Sequence, residues 1–148
     1  MNDAVFLDSG PLGILTNPSN KSAPVAIRQW LVDLLAAGRR VILPEIVDYE
    51  VRREFIRASL PQSIILLDSL AKQIDYLPLS TPVMHHAAEI WAQARTAGQQ
   101  TAPDPALDGD VILAAQALSL GVPVIVATGN PGHLFRFVPA EIWQNIVP

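Results

Sequence analysis

Cysteine is absent from the 148 residues, which excludes disulfides, thiolate zinc sites and cysteine nucleophiles. No apolar run has the length needed to cross a bilayer, and the opening MNDAVFLDSG has neither a basic n-region nor an apolar h-region. The expectation is a soluble, cytoplasmic protein. Charge is sparse too, at 16% of residues against 50% hydrophobic, a balance that excludes an intrinsically disordered chain. Nor is there the basic excess usual in nucleic-acid binders, because the formal net charge is −4. The sum hides a distribution: eight of the ten basic residues are arginine, and Arg39, Arg40, Arg52, Arg53 and Arg57 fall in one short stretch. That stretch is either an ordinary solvated helix face or a phosphate-contacting surface.

What is present has the size of one domain spanning 1–148, with no repeat, low-complexity tract or linker to divide it. Ala4 to Leu7 is a short apolar run that reads as a buried strand, and Asp8-Ser9-Gly10-Pro11 follows as the point where it breaks into a loop. Val25 to Leu35 has helical spacing, with Ser22 as a cap and Gly38 as a stop. Val41-Ile42-Leu43 is a second buried strand, and a helix follows from about Glu45 to Ser59. Gln62 to Ile74 is a further helix, Tyr76 to Leu79 is a strand or extended link, and Thr81-Pro82 starts a helix that reaches about Ala97. Gly98 to Leu107 reads as a loop, after which Asp108-Gly109-Asp110 opens an apolar helix running to Leu120. Val122 to Ala127 is a strand, and Phe137 to Ile146 holds an edge strand. The alternation of strands and helices predicts a three-layer α/β/α domain with a mostly parallel central sheet.

In open parallel sheets, sites form beyond the carboxyl ends of the strands. Asp8 stands at one such end and Thr128 to Asn130 at another. Glu50 lies about one turn into the helix after the second strand, and Asp108 and Asp110 stand at a helix start. Each has a bland explanation: a turn residue for Asp8, an N-cap for Asp108, a dipole-favoured charge for Asp110, a solvated helix residue for Glu50. Their common location favours a site instead. Clustered carboxylates repel and need protons or cations as compensation, and Mg²⁺ or Mn²⁺ supplies it through oxygen ligands while promoting phosphate chemistry.

At these residues the sequence resembles the PIN-domain family, and within it the VapC-type toxin ribonucleases of toxin–antitoxin systems. VFLDSGPLGIL resembles the family's first strand and leading acid, at Asp8. LPEIVDYEVRREF resembles the segment of the second acid, at Glu50, and LDGDVILAAQAL the third, at Asp110 with Asp108 nearby. VPVIVATGNPGHL resembles the last strand and its loop. The resemblance implies a Mg²⁺- or Mn²⁺-dependent endoribonuclease that cuts single-stranded or loop RNA by metal-activated water. It also implies a homodimer and a cognate antitoxin that occludes the site. Asp8, Glu50 and Asp110 would be metal ligands, with Asp108 as a further candidate. Ser9, Thr128 and Asn130 would orient ligands or phosphate, and Arg52 and Arg53 would contact RNA. One departure is that Asn130 occupies a position where many family members carry an acid, which favours one firmly held ion over two.

Two other functions compete. Asp8 as a phosphoryl-accepting nucleophile, as in haloacid dehalogenase-like phosphatases, calls for a second acid two residues on, where this chain has Gly10. A catalytically impaired PIN-like RNA-binding or scaffold protein fits Asn130 and the acidic balance. Trp30, Trp91 and Trp143 are either core or part of an apolar dimerisation surface. His85 and His86, adjacent on a helix, point to different faces, which argues against a shared ion, whereas His133 lies in the loop near the acids.

Overall fold

The computed structural model describes residues 3–98 and 104–148, without the side chains of 104–106. Five strands, β1 (Ala4–Leu7), β2 (Val41–Pro44), β3 (Asp75–Leu77), β4 (Val124–Thr128) and β5 (Ala140–Ile142), form one sheet in the order β3-β2-β1-β4-β5. Every pairing in it is parallel. Parallel neighbours need crossover connections, and the helices supply them. These are α1 (Ser9–Leu15), α2 (Ser22–Ala36), α3 (Glu45–Arg57), α4 (Pro61–Gln73), α5 (Thr81–Thr96), α6 (Asp104–Leu118) and α7 (Pro131–Leu134). The result is the three-layer α/β/α architecture that the alternation predicted.

Burial explains the strand sequences. All four residues of β1 and of β2 are buried, as expected where helices cover both faces of a central strand. The outer strands β3 and β5 are short and half-exposed, so their sequence signal is weak. Val5, Phe6, Leu7, Leu43 and Val126 sit at the centre of the core with Ile27, Leu34, Val47 and Leu113 from the helices. Gly38 and Gly121 end α2 and α6 in the left-handed region, at φ of 79° and 70°, where a side chain would be strained.

Three local expectations change. No loop follows β1: α1 begins at Ser9, with Asp8 as its N-cap, and Pro11 is accommodated in the first turn. Ser22 does not cap α2 but is its first residue, while Asn17 and Ser19 side chains hold the preceding loop by accepting from Ser19 and Lys21 N–H. The Gly98–Leu107 loop is shorter than expected, since α6 already starts at Asp104; residues 99–103 lie outside the described residues. Pro105 reads as a breaker in a turn-rich stretch, yet it sits in the first turn of a helix, where proline fits.

Trp30 is core: its indole N–H donates to the Ile146 carbonyl at 2.8 Å, and its ring meets Trp143 edge-on at 5.5 Å. Trp91 is half-buried beneath the Arg95 guanidinium. Among the described residues no helix is long and apolar enough to cross a membrane.

Candidate active site

The strand order reverses direction at β1, so the β1–β4 boundary is a topological switch point where an open α/β sheet forms a crevice. Asp8 leaves β1 there, and Thr128 ends the neighbouring β4. Both oxygens of the Asp8 carboxylate are held: Oδ1 accepts the Ser9 N–H at 2.7 Å and Oδ2 accepts the Thr128 hydroxyl at 2.7 Å. The Thr128 hydroxyl in turn accepts the Asn130 N–H at 3.1 Å. Thr128 is buried, so the relay is rigid. Ser9 and Asn130 contribute backbone N–H groups here.

Glu50 comes from α3 and Asp110 from α6, two helices that pack on each other. The contact passes through Gly109: a Cβ built there would lie 2.6 Å from Glu50 Oε2. Glycine therefore makes the space in which the Glu50 carboxylate rests on α6. The start of α3 has no side-chain cap of its own. Instead the fully buried Gln116 of α6 accepts the Ile46 N–H at 3.2 Å and donates to the Leu77 carbonyl at 2.9 Å. One amide thus satisfies an orphan N–H of α3 and ties the helix to the end of β3. On its far side, Asp48 accepts from Arg52 Nε at 2.9 Å and from the Tyr76 hydroxyl at 2.8 Å.

The acids feel one another. Burial, then the charges of Asp8 and Asp110, push Glu50 up to about 7 against the opposing pull of Arg53. Burial and then Asp8 push Asp110 up to about 6, with His133 and Arg136 pulling it down. Asp110 Oδ2 is buried without a hydrogen-bond partner. A buried carboxylate oxygen left unmatched is costly, and a cation would answer both that oxygen and the mutual repulsion. Among the described residues no group of three or more histidine, aspartate or glutamate side chains is placed so that it could hold a metal ion by itself. The donor set fits an ion that keeps several waters and takes only some of its ligands from protein, as Mg²⁺ does.

Asp8, Glu50 and Asp110 are therefore brought into one electrostatic cluster, with Thr128 bonded to Asp8. Asp108 is not: it is exposed, about 200° round the helix from Asp110, and lines a groove of about 360 Å³ with Met84, Trp91 and Ile112. The arginine stretch also separates. Arg39 donates to the carbonyls of Asp3 and Val147, Arg40 pairs with Asp75, and Arg57 with Glu54. Arg52 bridges Asp48 and Asp68, which commits its guanidinium to holding α3. Arg53 lies over the Tyr49 ring at 5.0 Å. Of the histidines, His133 reaches the cluster electrostatically, while His85 is exposed on α5 and His86 lines a separate cleft with Pro78 and Ser119. Sequence reasoning missed Gly109, Gln116 and Arg136. Only Gly109 left a trace, as the small residue between two aspartates.

Solved structures share this arrangement of elements. A chain in the crystal structure of VapBC2 from Rickettsia felis, bound to a DNA fragment from their promoter, superposes with a TM-score of 0.74 at 16% identity, covering 95% of this chain and 98% of that one. FitAcB from Neisseria gonorrhoeae gives 0.67 at 23% identity, with 96% and 99% covered. DNA-bound VapBC from Salmonella typhimurium gives 0.69 at 19%, with 95% and 98% covered. At these identities the likeness is one of fold. No curated protein matches the sequence. The family profile described as the PIN domain matches residues 5–132, a span that contains all three clustered acids and Thr128. With that match over most of its length, the chain belongs to the PIN domain family.

Proposed function

We propose that the protein is a divalent-metal-dependent endoribonuclease, the toxin of a type II toxin–antitoxin pair of the VapC kind. The observation that carries the nuclease reading is the convergence of Asp8, Glu50 and Asp110 at the switch point, with an unmatched buried oxygen on Asp110. Asp8, Glu50 and Asp110 would hold Mg²⁺ or Mn²⁺. When bound, such an ion supplies positive charge for activating water and for neutralising a phosphodiester under attack.

The chain's own groups do the rest. Thr128 and the Ser9 N–H fix the Asp8 carboxylate in one orientation, and Gly109 admits the Glu50 carboxylate to the cluster. With its raised pKa, Glu50 can hold a proton near neutrality in the metal-free protein. Arg136 places positive charge on the α7 side, where the phosphate backbone of a substrate would run.

The antitoxin partner and the toxin role rest on the fold shared with VapBC assemblies. A homodimer remains an expectation of the family resemblance. Purified protein should cleave RNA in Mn²⁺ or Mg²⁺ and not in EDTA, and Asp8→Asn should reduce the rate by at least a hundredfold. Cleavage that survives Asp8→Asn unchanged would sink the nuclease assignment. Tight RNA binding without any metal-dependent cleavage would favour the RNA-binding or scaffold role instead.

A further inference from the structure

Two opposite charges stand buried and unmatched on elements that pack together. On α6, Asp110 Oδ2 has no hydrogen-bond partner among the described residues, and just beyond α7 neither terminal nitrogen of Arg136 has one; all three atoms are buried. The two helices touch each other. A tight turn sets the Arg136 backbone, in which the N–H groups of Phe137 and Val138 both bond the carbonyl of buried Leu134. Its side chain is set at two points: Nε donates to the His133 carbonyl at 3.2 Å, and the guanidinium lies 4.5 Å from the Phe137 ring centroid. The charge reaches the acid. Burial and Asp8 drive the Asp110 carboxyl up, and Arg136, after His133, draws it back. Glu141, the acid that shares a groove with Arg136, is engaged elsewhere, since its Oε1 accepts from the Ile142 N–H at 2.8 Å and the Asn145 amide at 3.4 Å.

We propose that Arg136 is the resident counter-ion of the carboxylate cluster: it balances Asp110 in the metal-free chain and opposes the divalent ion there. This rests on the metal-site reading of Asp8, Glu50 and Asp110 and names what regulates ion binding by them. A buried guanidinium without a partner is costly, and it cannot shed its charge, because arginine stays protonated in proteins. A buried carboxylate oxygen without a partner is costly as well. Placed in one neighbourhood, each lowers the cost of the other through its field. The two terminal nitrogens are shut off from solvent, so they serve an internal charge rather than an incoming ligand. A dication arriving at Asp110 meets this fixed positive charge and is repelled by it. Arg136 therefore limits how tightly the ion is held and keeps it exchangeable. Acting through Asp110, it is a positioning residue.

The test compares Arg136→Met, which keeps an apolar stem over Phe137, with Arg136→Lys, which keeps the charge. Mn²⁺ titration calorimetry at about pH 8, above the values of both raised acids, should give Arg136→Met an affinity about five- to tenfold higher than the parent's. Arg136→Lys should stay near the parent. An affinity in Arg136→Met equal to the parent's or below it would overturn the proposal. A double-mutant cycle on melting temperature in EDTA tests the pairing without metal. Asp110→Asn should raise the melting temperature more in the Arg136→Met background than in the parent, because there it removes a charge that Arg136 no longer balances. Equal effects in the two backgrounds would leave Arg136 only its packing on Phe137 and defeat the proposal. So would a coupling of Arg136→Met to Glu141→Gln in place of Asp110→Asn. A parent that binds no Mn²⁺ defeats the metal-dependent nuclease instead, and the cycle in EDTA still decides the role of Arg136.

Discussion

Asp8 was legible in the sequence because a short apolar run ends on it, and the residue closing a buried parallel strand faces the sheet's binding edge. Glu50 and Asp110 were legible only in company, since either alone reads as an ordinary helix carboxylate. Asp108 shows where spacing misleads: two residues from Asp110 is near enough in sequence, but on a helix it is the opposite side. Gly109, between them, is the more informative position. Gly109→Ala would drive a methyl group to 2.6 Å from Glu50 Oε2, displacing the carboxylate. The helix itself gains roughly 1 kcal/mol from alanine over glycine. The variant should therefore lose about tenfold or more in metal affinity, measured by titration calorimetry, with little loss of thermal stability. A variant that binds Mn²⁺ as tightly as the parent would mean that Glu50 does not sit where the cluster needs it.

Among the elements, β1, β2 and β4 were legible because buried parallel strands are continuous apolar runs, and α2 to α5 because their apolar spacing is helical. The start of α6 was not, since prolines at 103 and 105 and the polar GQQT stretch resemble a loop until the helix phase is known. The whole of α1 was hidden for a similar reason, with Gly10 and Pro11 in its first turn. The tie between α3 and α6 was invisible as well: nothing local to Gln116 announces that it satisfies a backbone group 70 residues away. Its energetic role can be measured. Gln116→Met keeps the volume but leaves the Ile46 N–H and the Leu77 carbonyl without this partner, at a cost of about 2 kcal/mol. Urea unfolding should show a lower midpoint with an unchanged slope. A midpoint equal to the parent's would show that α3 is held by packing alone.

At the scale of the whole molecule, the all-parallel sheet and the switch point follow from the strand–helix alternation, and the comparisons agree with that fold. Less legible was the destination of the arginines, because most of them serve the fold, holding termini, strand ends and helix faces. The acids act in the opposite sense. Glu50 and Asp110, with ordinary values of 4.5 and 3.8, are raised on folding to about 7 and about 6. A carboxyl whose pKa rises on folding favours the folded state most when protonated. Its contribution is full below the unfolded value and is lost as pH rises through the folded one. Metal-free protein should thus lose stability between about pH 4 and pH 7 from these two groups. At pH 7.5, metal-free Glu50→Gln should melt at a higher temperature than the parent. An equal or lower melting temperature would deny that the clustered charges oppose folding.

The function proposed above has a divalent ion in place of those protons, held by Asp8, Glu50 and Asp110 together. The most direct measurement is Mn²⁺ titration followed by calorimetry at pH 7.5, with the melting temperature recorded at each concentration. One Mn²⁺ should bind per chain and raise the melting temperature. Asp8→Asn and Asp110→Asn should abolish both effects, while Asp108→Asn should leave them in place. Full Mn²⁺ binding and stabilisation in Asp110→Asn would contradict the account.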